Sequence, residues 1–136
     1  RSYTFTGLTT GKTYYFKVRG YKVESDSTRY AGDYTAVKSA KPVPSKQTAF
    51  KVKAGKRSLT ASWKKVSGAS GYTVYYSTKK TSGFKSKTVK GNSKVKYTVK
   101  SLKKGKTYYV KARAYRTVSG KKVYGPYTSL VRVKAK

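Results

Sequence analysis

The sequence contains no cysteine, no histidine and no methionine. Without cysteine there is no disulfide and no thiolate metal site. Without histidine, the side chain that titrates nearest neutral pH is missing as well. Acidic side chains are almost as scarce: Glu24, Asp26 and Asp33 stand against 34 Lys and Arg, a formal net charge of +31. An enzyme needs a proton donor or acceptor near neutral pH, an activated nucleophile or a metal. Three carboxylates inside one ten-residue stretch supply little of this, and no single one of 27 lysines stands out as a nucleophile. No catalytic, metal-binding or cofactor-binding residue is assigned, and the chain reads as a non-enzyme. "GKTYY" follows a turn and enters a strand, the wrong context for a phosphate-cradling glycine loop. No apolar run approaches the 18 residues of a membrane-spanning helix. The chain opens on "RSYTFTGL", with neither a methionine nor a signal-peptide pattern, and is expected to be a piece of a longer protein.

What is present is charge of one sign. From Tyr34 to Lys136 there is no acidic side chain, yet 28 cations lie in that stretch. A fold built from it tolerates strong self-repulsion and attracts polyanions. That attraction strengthens at low salt, since the screening length is about 8 Å at physiological ionic strength. Lys outnumbers Arg 27 to seven, which favours diffuse attraction to anionic polymers over bidentate reading of bases.

Apolar residues alternate along the chain, as half-buried strands require. "SLTASW" puts Leu59, Ala61 and Trp63 on one face, and "YTVYYS" does the same for Tyr72, Val74 and Tyr76. "KYTV" offers Tyr97 and Val99; "YYVKA" offers Tyr108, Val110 and Ala112. Turn material separates them: "AGKRS", "VSGASG", "KKTSG", "KGNSK", "LKKGK" and "VSGKK". Short Val-, Thr- and Tyr-rich strands at this spacing predict an all-β sandwich or barrel.

The chain also repeats itself. "GLTTGKTYYFKVRGY", from Gly7, returns as "SLKKGKTYYVKARAY", from Ser101, at an offset of 94 residues. "YAGDYTA", from Tyr30, then matches "YGPYTS", from Tyr124, after one inserted residue. A period near 90 residues is a whole domain rather than a solenoid unit. "KPVPSK" lies between the copies, and its two prolines suit a junction. The expected organisation is a partial module over 1–41, a linker over 42–46 and a complete module over 47–136.

Trp63 in "SLTASWKKV", the strand entry in "GASGYTVYYS", and "LKKGKTY", with Leu102 six residues before Tyr108, together resemble the fibronectin type III family. The last resembles its tyrosine corner, in which a Tyr near the start of strand F bonds back to the preceding turn. The full order "W…SGASGYTVYYS…LKKGKTYYVKARAY…GKKVYGPYTS" is similar to Lys-rich tandem modules of secreted Gram-positive bacterial surface proteins. The resemblance implies an immunoglobulin-like β-sandwich: seven antiparallel strands in two sheets, A-B-E against C-C′-F-G. The strands are expected at 48–54, 58–64, 71–78, 84–90, 95–100, 107–117 and 127–134. Trp63, Tyr72, Val74, Tyr76, Leu102 and Tyr108 are the expected structural core. In the first copy only strands E, F and G remain. They would expose Phe5, Tyr14, Phe16 and Val18 and leave open edges, so that segment is expected to fray, dock or be completed by another chain.

Two groups of residues are left for binding. Tyr109, Lys111, Arg113 and Tyr115 alternate on the outward face of strand F, with Tyr75 beside them on strand C. Interleaved aromatics and cations hold anionic glycans or single-stranded nucleic acid by charge and stacking; an ordinary solvated strand face is the plain alternative. Ala31, Gly32 and Asp33 resemble a variant of the Arg-Gly-Asp integrin motif that fibronectin type III modules display between strands F and G. A glycine needed only for a turn is the plain alternative there. The expected function is a secreted, extracellular, non-catalytic spacer, adhesion or interaction module at the bacterial surface. Its partners would be anionic glycans, wall polymers, anionic membrane surfaces or host cell-surface protein. Rival readings are a processed hormone-like ligand of the irisin type for a host receptor, and non-specific nucleic-acid binding without specific DNA recognition. Self-association through the truncated copy is a further expectation.

Overall fold

A computed structural model describes residues 2–136. The chain divides into two compact units, Arg1–Pro42 and Val43–Lys136. All regular structure among the described residues is β.

The first unit holds four three-residue strands: β1 (Tyr14–Phe16), β2 (Tyr21–Val23), β3 (Arg29–Ala31) and β4 (Lys38–Ala40). They pair as two antiparallel ribbons, β1 with β4 and β2 with β3. These are the F and G stretches of the repeat. The strand expected ahead of them does not form, and residues 2–13 carry no ladder. In the second unit the equivalent strand pairs with one neighbour that has no counterpart here. Nothing between residues 2 and 42 is fully buried. Phe5 stacks against Phe16 with ring centroids 5.0 Å apart, yet stays 55% exposed. Val18 is exposed as expected, while Tyr14 and Phe16 are half-buried. The tyrosine corner survives even so: the Thr9 N–H donates to the Tyr14 hydroxyl at 3.0 Å.

The second unit is a β-sandwich. Its first sheet has the order β5 (Lys51–Gly55), β6 (Ser58–Ser62), β9 (Lys96–Val99). The second runs β8 (Lys85–Lys90), β7 (Gly71–Ser77), β10 (Thr107–Val118), with β11 (Lys121–Tyr124) and β12 (Val131–Lys134) both pairing β10. All pairs are antiparallel. Alternation places Leu59, Ala61, Tyr72, Val74, Val110 and Ala112 inside. Trp63 meets Tyr72 at 5.1 Å and Phe50 at 6.4 Å between ring centroids. Leu102 and Tyr108 are buried, and half-buried Tyr76 packs against the same core. Tyr72 is wholly enclosed, so its hydroxyl needs partners: it accepts from the Val66 N–H at 3.0 Å and donates to the Asn92 carbonyl at 2.8 Å. Tyr108 closes the second tyrosine corner, accepting from the Lys103 N–H at 3.1 Å.

One strand departs from expectation. The last is expected at 127–134, but pairing begins at Lys121 and breaks between Gly125 and Leu130. Ser119 and Gly120, with φ of 47° and 75°, make the two-residue turn that joins β10 to β11. Thr128 then bridges the break, its N–H donating to the Ala112 carbonyl (2.8 Å) and its hydroxyl accepting from the Ala112 N–H (3.0 Å). Thr35 makes the same pair of bonds to Val18 in the first unit. Gly125 sits where a Cβ would strike the carbonyl oxygen of Pro44, and Pro44 is buried there. Close backbone approach, rather than the left-handed conformation of a turn, therefore calls for glycine at 125.

Candidate functional site

The C-F-G sheet presents its outer face through β7, β10 and β11. Register sets Lys111 opposite Tyr75, Arg113 opposite Thr73 and Tyr115 opposite Gly71. Arg113 is the centre of the arrangement. Its guanidinium lies 3.8 Å from the Tyr124 ring centroid, 4.5 Å from that of Tyr127 and 5.3 Å from that of Tyr75. Its Nε and terminal nitrogen both donate to the Tyr75 hydroxyl, at 3.1 and 2.9 Å. Lys111 reaches over Tyr127 at 4.2 Å and over Phe84 at 4.5 Å. Tyr75 and Tyr127 meet edge to face at 5.3 Å. Each cation is thus held over the negative face of an aromatic ring, an attraction of about 0.5–1 kcal/mol at exposed sites. No carboxylate competes, because 26 Lys and Arg and no Asp or Glu lie between Val43 and Lys136.

The structure brings together Tyr75, Lys111 and Arg113 from the sequence reading. Tyr109 sits further along β10, half-buried between Ser77 and Arg132. Tyr115 corrects the expectation of an outward ring, since it is only 4% exposed. Its ring covers Gly71, where a Cβ would lie 2.7 Å from the hydroxyl. Ser70 fixes that approach: its N–H donates to the Tyr115 carbonyl at 2.8 Å and its hydroxyl accepts from the Thr117 N–H at 3.0 Å. Tyr124 packs edge-on at 6.1 Å. Lys122 passes above at 4.8 Å, its ammonium donating to Thr88 Oγ1 at 3.3 Å. Burial, with neighbouring Tyr124 as the lesser cause, pushes the Tyr115 phenol above its ordinary value. Tyr115 supports the platform from beneath and offers no face to a ligand.

Tyr124, Tyr127 and Phe84 join the site although the alternation argument did not select them. The signal for Tyr127 was in the repeat. At the 94-residue offset, Lys17 corresponds to Lys111 and Arg19 to Arg113; after the one-residue insertion, Tyr34 corresponds to Tyr127. The geometry repeats as well: Lys17 lies 3.9 Å and Arg19 4.8 Å from the Tyr34 ring centroid. The first unit therefore carries a smaller version of the same platform.

Ala31, Gly32 and Asp33 are exposed, but not at the tip of a hairpin. That loop is Glu24–Thr28, closed by a Glu24–Thr28 backbone bond of 3.0 Å and holding the Lys22–Glu24 ion pair at 2.8 Å. Ala31 ends β3, pairing Tyr21, and the Gly32 N–H donates to the Gly20 carbonyl at 3.0 Å. The expected loop placement is thus corrected: β3 pairs through Ala31, much as β11 pairs through Tyr124 in the second unit, so the tripeptide lies on the ribbon's flank. Gly32 takes no left-handed conformation, and a Cβ there would make only an ordinary 3.7 Å contact.

Comparison with known proteins agrees with this architecture. The chain is similar to the FN1-FN3 domains of chicken CNTN1 (TM-score 0.62, 17% identity), with 98% of this chain aligned. It spans 46% of the length of that structure. It is also similar to the third fibronectin III domain of human KIAA0343 protein, at a TM-score of 0.56 and 18% identity, over 68% of this chain and 83% of that one. No curated protein sequence matches. The family model of the fibronectin type III domain matches residues 42–129. With its sandwich, its tyrosine corner and that match over well more than half its length, the chain belongs to the fibronectin type III domain family.

Proposed function

We propose that the chain is a spacer, adhesion or interaction module whose C-F-G sheet face binds anionic polymers. Fibronectin type III domains are in general non-catalytic binding or spacer modules, and they commonly mediate protein interactions. The observation that carries the finer reading is the recurrence of one arrangement. Lys111, Arg113 and Tyr127 in the second unit and Lys17, Arg19 and Tyr34 in the first hold paired cations over a tyrosine ring, and none of these four cations takes part in the one ion pair among the described residues. A cation resting on a ring keeps its charge, has less freedom to lose on binding, and leaves donors for sulfate, phosphate or carboxylate oxygens. Two platforms on one chain gain affinity together when a long polyanion meets both.

In this reading residues 1–41 are the closing strands of a truncated module, 42–46 its junction, and 47–136 a complete module. The parent protein is secreted to the surface of a Gram-positive bacterium. There it meets wall polymers, host glycosaminoglycans or anionic cell-surface proteins. The sheet recognises charge density rather than sequence, since it offers neither a helix for a major groove nor bidentate arginine pairs.

The test is binding of labelled chain to host cells across a salt series, with and without excess soluble heparin. Binding that collapses with both, and that weakens in Lys111→Gln/Arg113→Gln, supports the proposal. Binding that persists through salt and heparin overturns it and points to a receptor epitope, for which Asp33→Ala is the next variant.

A further inference from the structure

A cleft of about 560 Å³ lies between the end of β7, the start of β8 and the turn joining β9 to β10. Buried Leu102 and Tyr108 and half-buried Tyr76 form its floor. Exposed Lys85, Lys100, Lys103 and Lys106 form its rim. A neighbouring hollow of about 390 Å³ adds Lys56 and Arg57 and shares Lys100 and Ser101, so the cationic lining runs on without a break. None of these six cations has an ion-pair partner; the one ion pair among the described residues is Lys22–Glu24, in the other unit.

The cleft is tied in place by its own hydrogen bonds. On one wall the Lys103 N–H donates to the Tyr108 hydroxyl at 3.1 Å, and the Leu102 N–H donates to the Arg57 carbonyl at 2.9 Å. On the other, Ser77 Oγ donates to the Ser82 carbonyl at 2.7 Å and accepts from the Lys79 N–H at 3.0 Å. Arg57 and Ser101, which both line the neighbouring hollow, take left-handed backbone conformations, with φ of 47° and 59°. Non-glycine residues rarely hold that conformation unless the surroundings fix it.

Cationic rim, apolar floor and rigid walls ask for a particular kind of ligand. The volume is that of a small-molecule site. Lysine ammonium groups are point charges with three rotatable donors, so they meet tetrahedral oxyanions without the planar geometry an arginine fork demands. The half-buried Tyr76 ring, backed by the enclosed Leu102 and Tyr108, takes the C–H face of a sugar ring. We infer that this cleft is a second binding site, separate from the sheet face, for a sugar-sized ring bearing sulfate or phosphate esters.

The experiment is a ¹⁵N-amide NMR titration of the full chain at physiological salt. The probes are a trisulfated heparin disaccharide, the same disaccharide unsulfated, myo-inositol hexakisphosphate and inorganic tripolyphosphate. The expected result is saturable shifts confined to residues 76–85 and 100–108 with the sulfated or the phosphorylated ring; which of the two binds more tightly identifies the ester. Lys103→Gln/Lys106→Gln weakens that binding about tenfold, the combined effect of two exposed charge contacts. Lys51→Gln/Lys53→Gln removes equal charge elsewhere and leaves it unchanged, as does Arg113→Gln on the sheet face. Equal weakening by both lysine pairs, tripolyphosphate binding as tightly as either ring, or shifts spread over the whole surface would overturn the assignment. Arg113→Gln that weakens polymer binding yet spares the cleft separates the two sites.

Discussion

Replacing Arg113 tests whether the aromatic platform is a structural device or only a charged surface. In Arg113→Gln the stacked contacts to Tyr124 and Tyr127 disappear, together with two charge-assisted bonds to the Tyr75 hydroxyl. Two cation–π contacts at about 0.5–1 kcal/mol each, and about 1 kcal/mol net for the half-exposed hydrogen-bonding pair, give a gross loss near 2.5 kcal/mol. Removing one positive charge from a unit that holds 26 relieves some repulsion. The net destabilisation expected is about 2 kcal/mol, or a Tm drop on the order of 10 °C for a unit of this size. Arg113→Lys keeps the charge but not the planar fork, and should lose about half as much. Trp63, the one tryptophan, is buried in the core of this unit, so its fluorescence during urea unfolding reports this unit. A Gln variant as stable as the parent, or more stable, would show that repulsion outweighs stacking and that the platform is not pre-organised.

Tyr72→Phe should cost about 1–3 kcal/mol in the same urea assay, because the Val66 N–H and the Asn92 carbonyl lose their partner; a cost under about 0.5 kcal/mol would mean water replaces the hydroxyl. Tyr115 is an acid whose folded-state pKa is raised above the ordinary 10.0, so the stability it contributes is full below that value and is lost as pH rises through the folded value. Wild type should therefore lose stability above about pH 10 more steeply than Tyr115→Phe, and parallel curves would refute the role of burial. With no acidic side chain in the second unit against 26 cations, relief of repulsion is the dominant effect of screening there. Its Tm should rise between about 0.05 and 0.5 M NaCl, and a fall would reveal stabilising ion contacts instead.

Much of the sandwich was legible because period-two alternation is a local property. Tyr72, Val74 and Tyr76, or Tyr108, Val110 and Ala112, must share a face in any strand that contains them. Tyr115 defeated the same rule because its burial depends on a residue 44 positions away. Only a bare Gly71 in the facing register lets the ring lie flat. Tyr124 and Tyr127 flank a break in pairing, where alternation loses its phase, so their convergence on Arg113 comes from the hairpin rather than from spacing. The cleft lysines were hidden for another reason. Among 27 lysines, composition cannot single out Lys100, Lys103 and Lys106, and only the fold sets them around a common hollow.

The interruption between β11 and β12 also bears on how such modules live beside one another. Where related modules share one chain their local concentration is high, and an unbroken outer strand invites one copy to zip onto the next. Here the outermost ladder of the C-F-G sheet runs for four residues, stops across Gly125–Leu130, and resumes for four more. Pro126 removes one backbone donor from the gap, and Thr128 turns its own toward β10. Along this edge a would-be partner strand finds no more than four consecutive residues to pair with, beside lysines 121, 122 and 134. The same break that seats Tyr127 over its cations makes this edge of the sheet a poor template for a foreign strand, leaving β8, with its lysines 85, 87 and 90, as the longer edge on the other side.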